Sequence, residues 1–297
     1  MDGGGAKGVY TLGVLREIEA VSSRPLCEVF DLIYGTSTGS IIAALIALGY
    51  RVDEIENHYF KLIPDITGAS GSRRRSKALR EQAKNIFGDR KFDSFKVPIG
   101  IVAANHGHER PMIFKYSAQQ AHGRAATFKP GFGCTIADAV LASSAAYPFF
   151  EKVAVVTENQ GTQLLMDGGY VANNPTLFAL ADAREAFKQA DADIVVISVG
   201  VGGYIEPKRG LLKELIIGFW PFRHISKMFN ISSTTIEQLT TVLFPNVSCI
   251  RINETYAQPE YATDLLERNP EKLRVLHGLG RESYAKHERR LRELLKI

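Results

Sequence analysis

The stretch that most limits what this chain can fold into is Thr38–Leu48, whose polar side chains all stand in its first turn. A helix apolar on every side has to be enclosed on every side. Its apolar run, Ile41 to Leu48, is too short to cross a bilayer, which takes about 20 residues. It therefore belongs in a protein core, and Gly49 stops it. Before it, Leu26–Tyr34 (LCEVFDLIY) reads as a strand. A strand feeding a buried helix is a unit of a layered α/β fold.

The rest of the chain keeps that alternation. Ala6–Ala20 reads as a helix, with Val9, Leu12, Leu15 and Ile18 near helical spacing. Val52–Leu62 is predicted helical, and Val97–Ala104 and Met112–Tyr116 are predicted strands. Lys152–Thr157 and Gln163–Met166 read as a hairpin. Asn174-Pro175 marks a helix start, and the helix is expected to run to Gln189. Ile194–Val201 (IVVISVGV) is a strand covered on both faces. After Pro207 the pattern is mainly helical, with one short strand near Val247–Ile252. No clean boundary separates that part, so 1–297 is expected to be a single domain, its motifs within 2–202 and a helical extension over 208–297.

Composition narrows the class. The 297 residues are 45% apolar and 23% charged, which excludes a disordered chain, a collagen-like chain and a membrane bundle. A net charge of +4 permits attraction to phosphate-rich surfaces without demanding it. Cys27, Cys134 and Cys249 form no CxxC, which argues against a disulfide framework or zinc knuckle and for a reducing compartment. No secretory signal follows Met1.

Three glycine-bearing motifs carry the chemistry. Gly35-Thr36-Ser37-Thr38-Gly39 has the G-x-S-x-G form between strand and helix, the setting of a nucleophile elbow. The Thr38 N–H would lie at the helix N-terminus, able to donate to a developing oxyanion. Asp2-Gly3-Gly4-Gly5-Ala6-Lys7-Gly8 opens the first helix, and its successive amides make a nest for an anion. Its Gly3-x-Gly5-x-x-Gly8 spacing also fits a dinucleotide site. That reading needs an acidic residue at the end of a second strand; Glu17 and Glu19 lie inside the helix, which favours an oxyanion hole. Asp167-Gly168-Gly169 follows Leu164-Leu165-Met166 and is either a hairpin turn or a strand-end carboxylate meeting another loop. A Ser-His-Asp triad would draw on His106 or His108, which flank a glycine in a loop, but no histidine has a motif around it. A Ser37–Asp167 dyad is more economical. Aspartate is a weaker base than imidazole, so the glycine loop and Lys7 must stabilise the oxyanion more strongly.

D-G-G-G-x-K-G, then G-x-S-x-G, then D-G-G, in that order, resembles the patatin-like phospholipases. Ala142-Ser143-Ser144-Ala145-Ala146-Tyr147-Pro148-Phe149-Phe150 also resembles that family's segment between the Ser and Asp motifs. The resemblance implies a three-layer α/β/α patatin-like sheet and a Ser37–Asp167 dyad. It further implies an oxyanion hole from Gly3, Gly4 and Gly5 near Lys7, lipid acyl hydrolysis and no metal. The stretch Ala6 to Leu62 looks most like bacterial members that degrade membranes in anti-phage defence and are switched on by a cyclic nucleotide. On that basis the protein is expected to be cytoplasmic and peripheral to the inner membrane. Its partners would be phospholipid, a cyclic nucleotide and further copies of itself, with no nucleic-acid polymer. A soluble esterase on short acyl esters, or a nucleotide-binding module, are the competing readings.

Arg73, Lys77, Arg80 and Lys84 fall on one side of a predicted helix, either as a solvated face or as a contact for anionic head groups or a phosphate-bearing activator. Leu211, Leu212, Leu215, Ile216, Phe219 and Trp220 form an apolar helical face ended by Pro221, suited to the core, an interfacial helix or a lid. Arg281–Lys296 reads as a basic amphipathic surface helix. The family has an apolar strand ahead of its Asp-Gly-Gly-Gly loop, whereas here only Met1 precedes Asp2, so native residues are expected ahead of Met1.

Overall fold

The computed structural model describes residues 1–205 and 221–297. The apolar face predicted over Leu211–Trp220 lies outside them. The centre of the protein is a mixed sheet around β2 (Ile99–Asn105), which is buried along its whole length. Along one edge of β2, β1 (Ile33–Thr36) runs parallel to its first half and β5 (Gly161–Asp167) antiparallel to its second. The hairpin strand β3 (Arg110–Lys115) takes the other edge, and β4 (Val153–Thr157) pairs with β5. Thr36 stands opposite Val102 and Asp167 opposite Ala103. Two successive positions of one strand thus bring the ends of β1 and β5 together, and with them Ser37 and Asp167.

Helices cover the sheet. The chain runs through α1 (Gly8–Ser22), α2 (Thr38–Leu48), α3 (Val52–Thr67), α4 (Ser72–Phe87) and α5 (Ile136–Ser143), then the short α6 (Gly169–Ala172) and α7 (Thr176–Ala181). After β6 (Val195–Val199) and β7 (Gly203–Tyr204) come α8 (Pro221–Leu243), β8 (Ser248–Ile252), β9 (Thr255–Tyr256) and α9 (Pro270–Leu295). β6 pairs in parallel with β8, and β7 with β9. As its composition requires, α2 is enclosed: Ile42, Leu45 and Ile46 are almost wholly buried, each contributing about 2 kcal/mol of apolar transfer. One apolar cluster extends from Ala6 to Leu291, so α9 shares the core of the motif-bearing part. It crosses α1 at Gly13 and Gly280, where a methyl group would collide with the backbone of His277 and Tyr10.

Three predicted elements differ from what forms. Ile194–Val201, expected as a strand covered on both faces, gives β6, in which Val195 is exposed and Val196 and Ile197 are half-buried, because they border a cavity rather than a packed layer. Leu26–Tyr34 is not one strand: Pro25 leads into a single turn over Leu26–Glu28, and β1 begins only at Ile33. Leu26 is fully buried from that turn, because a short apolar run satisfies burial in either geometry. The helix expected to run from Asn174 to Gln189 ends as an α-helix at Ala181 and loosens into a wider turn over Asp182–Ala186. Asp182 is fully buried and accepts from Lys115 Nζ at 2.6 Å and Gln120 Nε2 at 2.9 Å, with Tyr34 and His122 also on its carboxylate. That polar cluster, made by distant residues, overrides the local helical pattern.

The first two residues pair with strands on both sides. The Met1 amine donates to Tyr34 O at 2.8 Å, and Thr36 N–H donates to Met1 O at 3.2 Å, a parallel bridge to β1. Asp2 N–H donates to Val199 O at 3.0 Å on the opposite side. Residues 1–2 therefore make one strand-like step between β1 and β6. Upstream of that step is a cavity of about 720 Å³, lined by Ile33, Tyr34, Val195, Ile197, Leu180 and Leu295 among others.

Candidate active site

Ser37 occupies the turn between β1 and α2 with φ 52° and ψ −125°, a backbone conformation that costs energy for any residue but glycine. The turn is as tight as its glycines suggest. A methyl on Gly35 would lie 2.2 Å from Gly39 O, and one on Gly39 would lie 2.4 Å from Met1 O. The strain holds Oγ out toward Asp167, where it donates to Oδ2 at 2.7 Å. Asp167 Oδ1 accepts from Gly169 N–H at 2.7 Å. The carboxyl is wholly buried. Burial pushes its pKa up to about 7, against the two hydrogen bonds that favour the charged form.

The segment Ala142–Ala146 clamps both partners. Ser143 Oγ donates to Val102 O at 2.6 Å and accepts from Ser37 N–H at 2.8 Å. Asp167 N–H donates to Ala145 O, and Gly168 N–H to Ser143 O. Asp167 is thus a strand-end carboxylate meeting another loop, and the chain after it enters α6 rather than a hairpin.

The glycine loop passes beside this pair. Gly3 N–H donates to Asn173 O at 3.1 Å, so it is already engaged. Gly4 and Gly5 line the same cavity as Ser37, and their amides have no partner among the described residues. Gly5 adopts φ +56°, and a methyl there would meet Leu265 O at 2.2 Å. Thr38 Oγ1 and Tyr59 OH both reach Gly5 O, at 2.7 and 2.5 Å, fixing the loop against α2 and α3. Thr38 stands at the first position of α2, where its N–H has no intrahelical partner. Gly8 faces Thr38 and Tyr59. Lys7 does not line the cavity. It is buried behind the loop, where desolvation pulls its pKa down to about 8 against the attraction of Asp2 and Asp264.

The cavity that opens on Ser37 is apolar and narrow, about 70 Å³. Ile41, Leu62, Ile66, Leu79, Phe149 and Phe229 are among its walls. No histidine lines it among the described residues. His106 instead meets Lys152 Nζ at 2.7 Å, and His108 is exposed on the β2–β3 turn. Leu79 belongs to α4, whose opposite face exposes Arg73, Lys77, Arg80 and Lys84. These four stand beside the cavity rather than in it.

A family model described as patatin-like phospholipase matches residues 1–180. The chain belongs to the patatin-like phospholipases. Over 295 residues it is 52% identical to a cUMP-AMP-activated phospholipase of Escherichia coli, spanning 99% of this chain and 92% of that one. A cGAMP-activated phospholipase of Vibrio cholerae is 28% identical over 253 residues, 74% of this chain and 69% of that one. The calcium-independent phospholipase A2-gamma of Oryctolagus cuniculus is 26% identical over 331 residues, all of this chain but 39% of the relative. VipD from Legionella pneumophila has a similar fold, with a TM-score of 0.51 at 13% identity over 99% of this chain and 66% of that chain. In this patatin-like phospholipase, sequence reasoning missed Tyr59 and gave Asn173 and Ser143 no role. Ser143 stands in a segment already singled out and Asn173 directly before the helix start at Asn174-Pro175; Tyr59 carries no local signal, because its partner Gly5 is 54 residues away.

Proposed function

We propose that this enzyme hydrolyses fatty-acyl esters of membrane phospholipids through Ser37 and Asp167. Asp167 takes the hydroxyl proton as Ser37 Oγ attacks the ester carbonyl. The amides of Gly4 and Gly5, with that of Thr38, receive the oxyanion. Collapse of the tetrahedral intermediate expels the lysolipid, whose leaving oxygen takes the proton back from Asp167, and leaves an acyl-serine; Asp167 then takes a proton from the water that hydrolyses it and returns that proton to Ser37 Oγ. The observation that carries this reading is the 2.7 Å bond from Ser37 Oγ to a buried carboxylate at the head of an apolar cavity. The apolar walls favour lipid over a short soluble ester, and the free glycine amides beside Ser37 favour an oxyanion over a nucleotide phosphate.

The relatives named for activation by cyclic dinucleotides support the same control here, in an anti-phage effector working from the bacterial cytoplasm at the inner membrane. The narrowness of the cavity fits that control. Parting of its walls on nucleotide binding would open it further to an acyl chain. Metal plays no part in the proposed steps, in keeping with the relative named for calcium independence. The deciding experiment follows phospholipid vesicles and a fluorophosphonate probe with and without cUMP-AMP, in EDTA. Expected are labelling of Ser37 and lipid hydrolysis that rises with the nucleotide and survives chelation. Nucleotide binding without any labelling or hydrolysis would favour a binding module.

The outward face of α4 is proposed to meet the bilayer, joined by the exposed apolar residues Met228, Ile231, Leu239 and Val242 of α8. Near-surface basic residues add about 1 kcal/mol each on anionic membranes. Charge reversal at Arg73, Lys77, Arg80 and Lys84 should therefore cut hydrolysis of anionic vesicles by at least about tenfold. A soluble short-chain ester should be spared. An equal loss on both substrates would assign the four residues to folding.

A further inference from the structure

The loop that carries Gly4 and Gly5 has no side chain of its own by which to be aimed. Its first residue supplies one. Asp2 is 2% exposed, and its carboxylate is gripped by two elements that lie beyond the motif-bearing part of the chain. Arg251, on β8, donates from Nη1 to Oδ1 at 2.8 Å and from Nη2 to Oδ2 at 2.5 Å. Ser233, on α8, donates to Oδ2 at 3.1 Å. Arg251 Nη1 also donates to Ser198 Oγ at 2.9 Å, which ties the pair to β6. The next residue is held from the same side. Asn173 Nδ2 donates to Gly3 O at 3.2 Å and to Ser233 Oγ at 2.9 Å, while Asn173 O accepts from Gly3 N–H. Asp2 and Gly3 are therefore the fixed points on the N-terminal side of the two free amides, as Gly5 O, held by Thr38 and Tyr59, is on the other side.

We propose that Arg251, assisted by Ser233, is a positioning residue for acyl-ester hydrolysis: through Asp2 it aims the Gly4 and Gly5 amides at the carbonyl oxygen of the ester attacked by Ser37. The inference rests on the oxyanion role given to those amides above. It makes β8 and α8, 249 and 231 residues from Asp2, parts of the catalytic apparatus. An oxyanion hole acts through donors fixed before the charge appears. A bidentate arginine–carboxylate pair fixes two angles at once, which a single lysine contact does not.

The test measures kcat and KM on a short-chain soluble ester well below each variant's melting midpoint. It also measures inhibition by a trifluoromethyl ketone, whose serine adduct places an oxyanion in the hole. Arg251→Gln should lower kcat by about 100-fold, the size of losing one oxyanion donor. KM should stay within about threefold, and the ketone should weaken in step with kcat. Arg251→Lys should recover only part of the loss. The Asp2→Asn and Arg251→Gln double variant should be no slower than the slower single one. Ser233→Ala removes two hydrogen bonds, the one to Asp2 and the one accepted from Asn173, and leaves the ion pair intact, so it decides the question if Arg251→Gln does not fold. It should lower kcat by about fivefold or more, the worth of at least one ordinary hydrogen bond. A lowered melting midpoint with unchanged kcat and ketone affinity would overturn the proposal, leaving Arg251 a structural residue. Ester turnover that persists in Ser37→Ala would instead overturn the underlying reading of the site, whatever Arg251→Gln does.

Discussion

Ser37→Ala and Asp167→Asn are each expected to lower acyl-ester turnover by about a thousandfold or more, and the double variant by no more than the worse single one. Non-additivity follows from the geometry. A single hydrogen bond joins the proposed nucleophile and base, so removing either end removes the same step. The pH dependence is fixed by the burial of Asp167. Its carboxyl titrates near 7 in the folded protein, and only the carboxylate can take the serine proton, so kcat/KM should rise through about pH 7 and then level off. Stability should move the other way. Below the ordinary aspartate range the carboxyl is protonated in both folded and unfolded chains. As pH rises toward 7 the unfolded chain loses its proton first, so the folded state loses stability, at about 1.4 kcal/mol for each unit between the two pKa values. Above pH 7 the whole penalty is present. Asp167→Asn should therefore melt at a higher temperature than the parent at pH 8, with the gap closing toward pH 4. Appreciable turnover in Asp167→Asn would remove the dyad and return the base to a histidine, and His106 lies on Lys152 rather than near Ser37.

What the sequence revealed was whatever is held locally. The elbow at Ser37 was legible because a strand, two glycines and an apolar helix are neighbours in the chain. The enclosure of α2 was legible because it has no polar face beyond its first turn. The meeting of Ser37 with Asp167 is different in kind. It depends on β1 and β5 taking successive positions along one edge of β2, and no periodicity encodes that register. The division of labour within the glycine loop was likewise hidden. Three adjacent glycines look alike in sequence, yet Gly3 spends its amide on Asn173 while Gly4 and Gly5 keep theirs. Lys7 shows the same limit: its charge beside the loop suggested a partner for the oxyanion, and packing places it behind the loop instead.

A version of the chain with six to eight strand-forming apolar residues before Asp2 is expected to melt several degrees higher and turn over ester faster than one starting at Met1. The reason lies in the bridge made by residues 1–2. Met1 pairs with β1 and Asp2 with β6 in the manner of a parallel strand, and the cavity upstream is bounded by the strands that such a segment would join. In a chain starting at Met1, the backbone edge of β1 ahead of Tyr34 has no ladder partner on that side among the described residues, and edges of that kind are sheet liabilities. An amine rather than a peptide bond also stands at the head of the cavity. Burial pulls the pKa of the Met1 amine down to about 6, and Arg251 adds to the effect while Asp2 opposes it. A peptide bond in its place would keep the hydrogen bond to Tyr34 O and carry no charge to desolvate. Each apolar side chain seated in the cavity adds about 2 kcal/mol of transfer energy, against about 1.5 kcal/mol of ordering entropy per residue. The net gain is therefore a few kcal/mol, or roughly 5 °C or more in melting temperature for a protein of this size. Turnover should follow, because Asp2, Gly3 and the two free amides hang directly from that strand, and a chain end frays where a strand interior does not. A proline placed at the middle of the added segment should abolish both gains, since it cannot donate to the ladder. Equal melting temperatures and equal turnover in the two chains would mean that Met1 and Asp2 anchor the loop unaided, through Tyr34, Val199 and Arg251 alone.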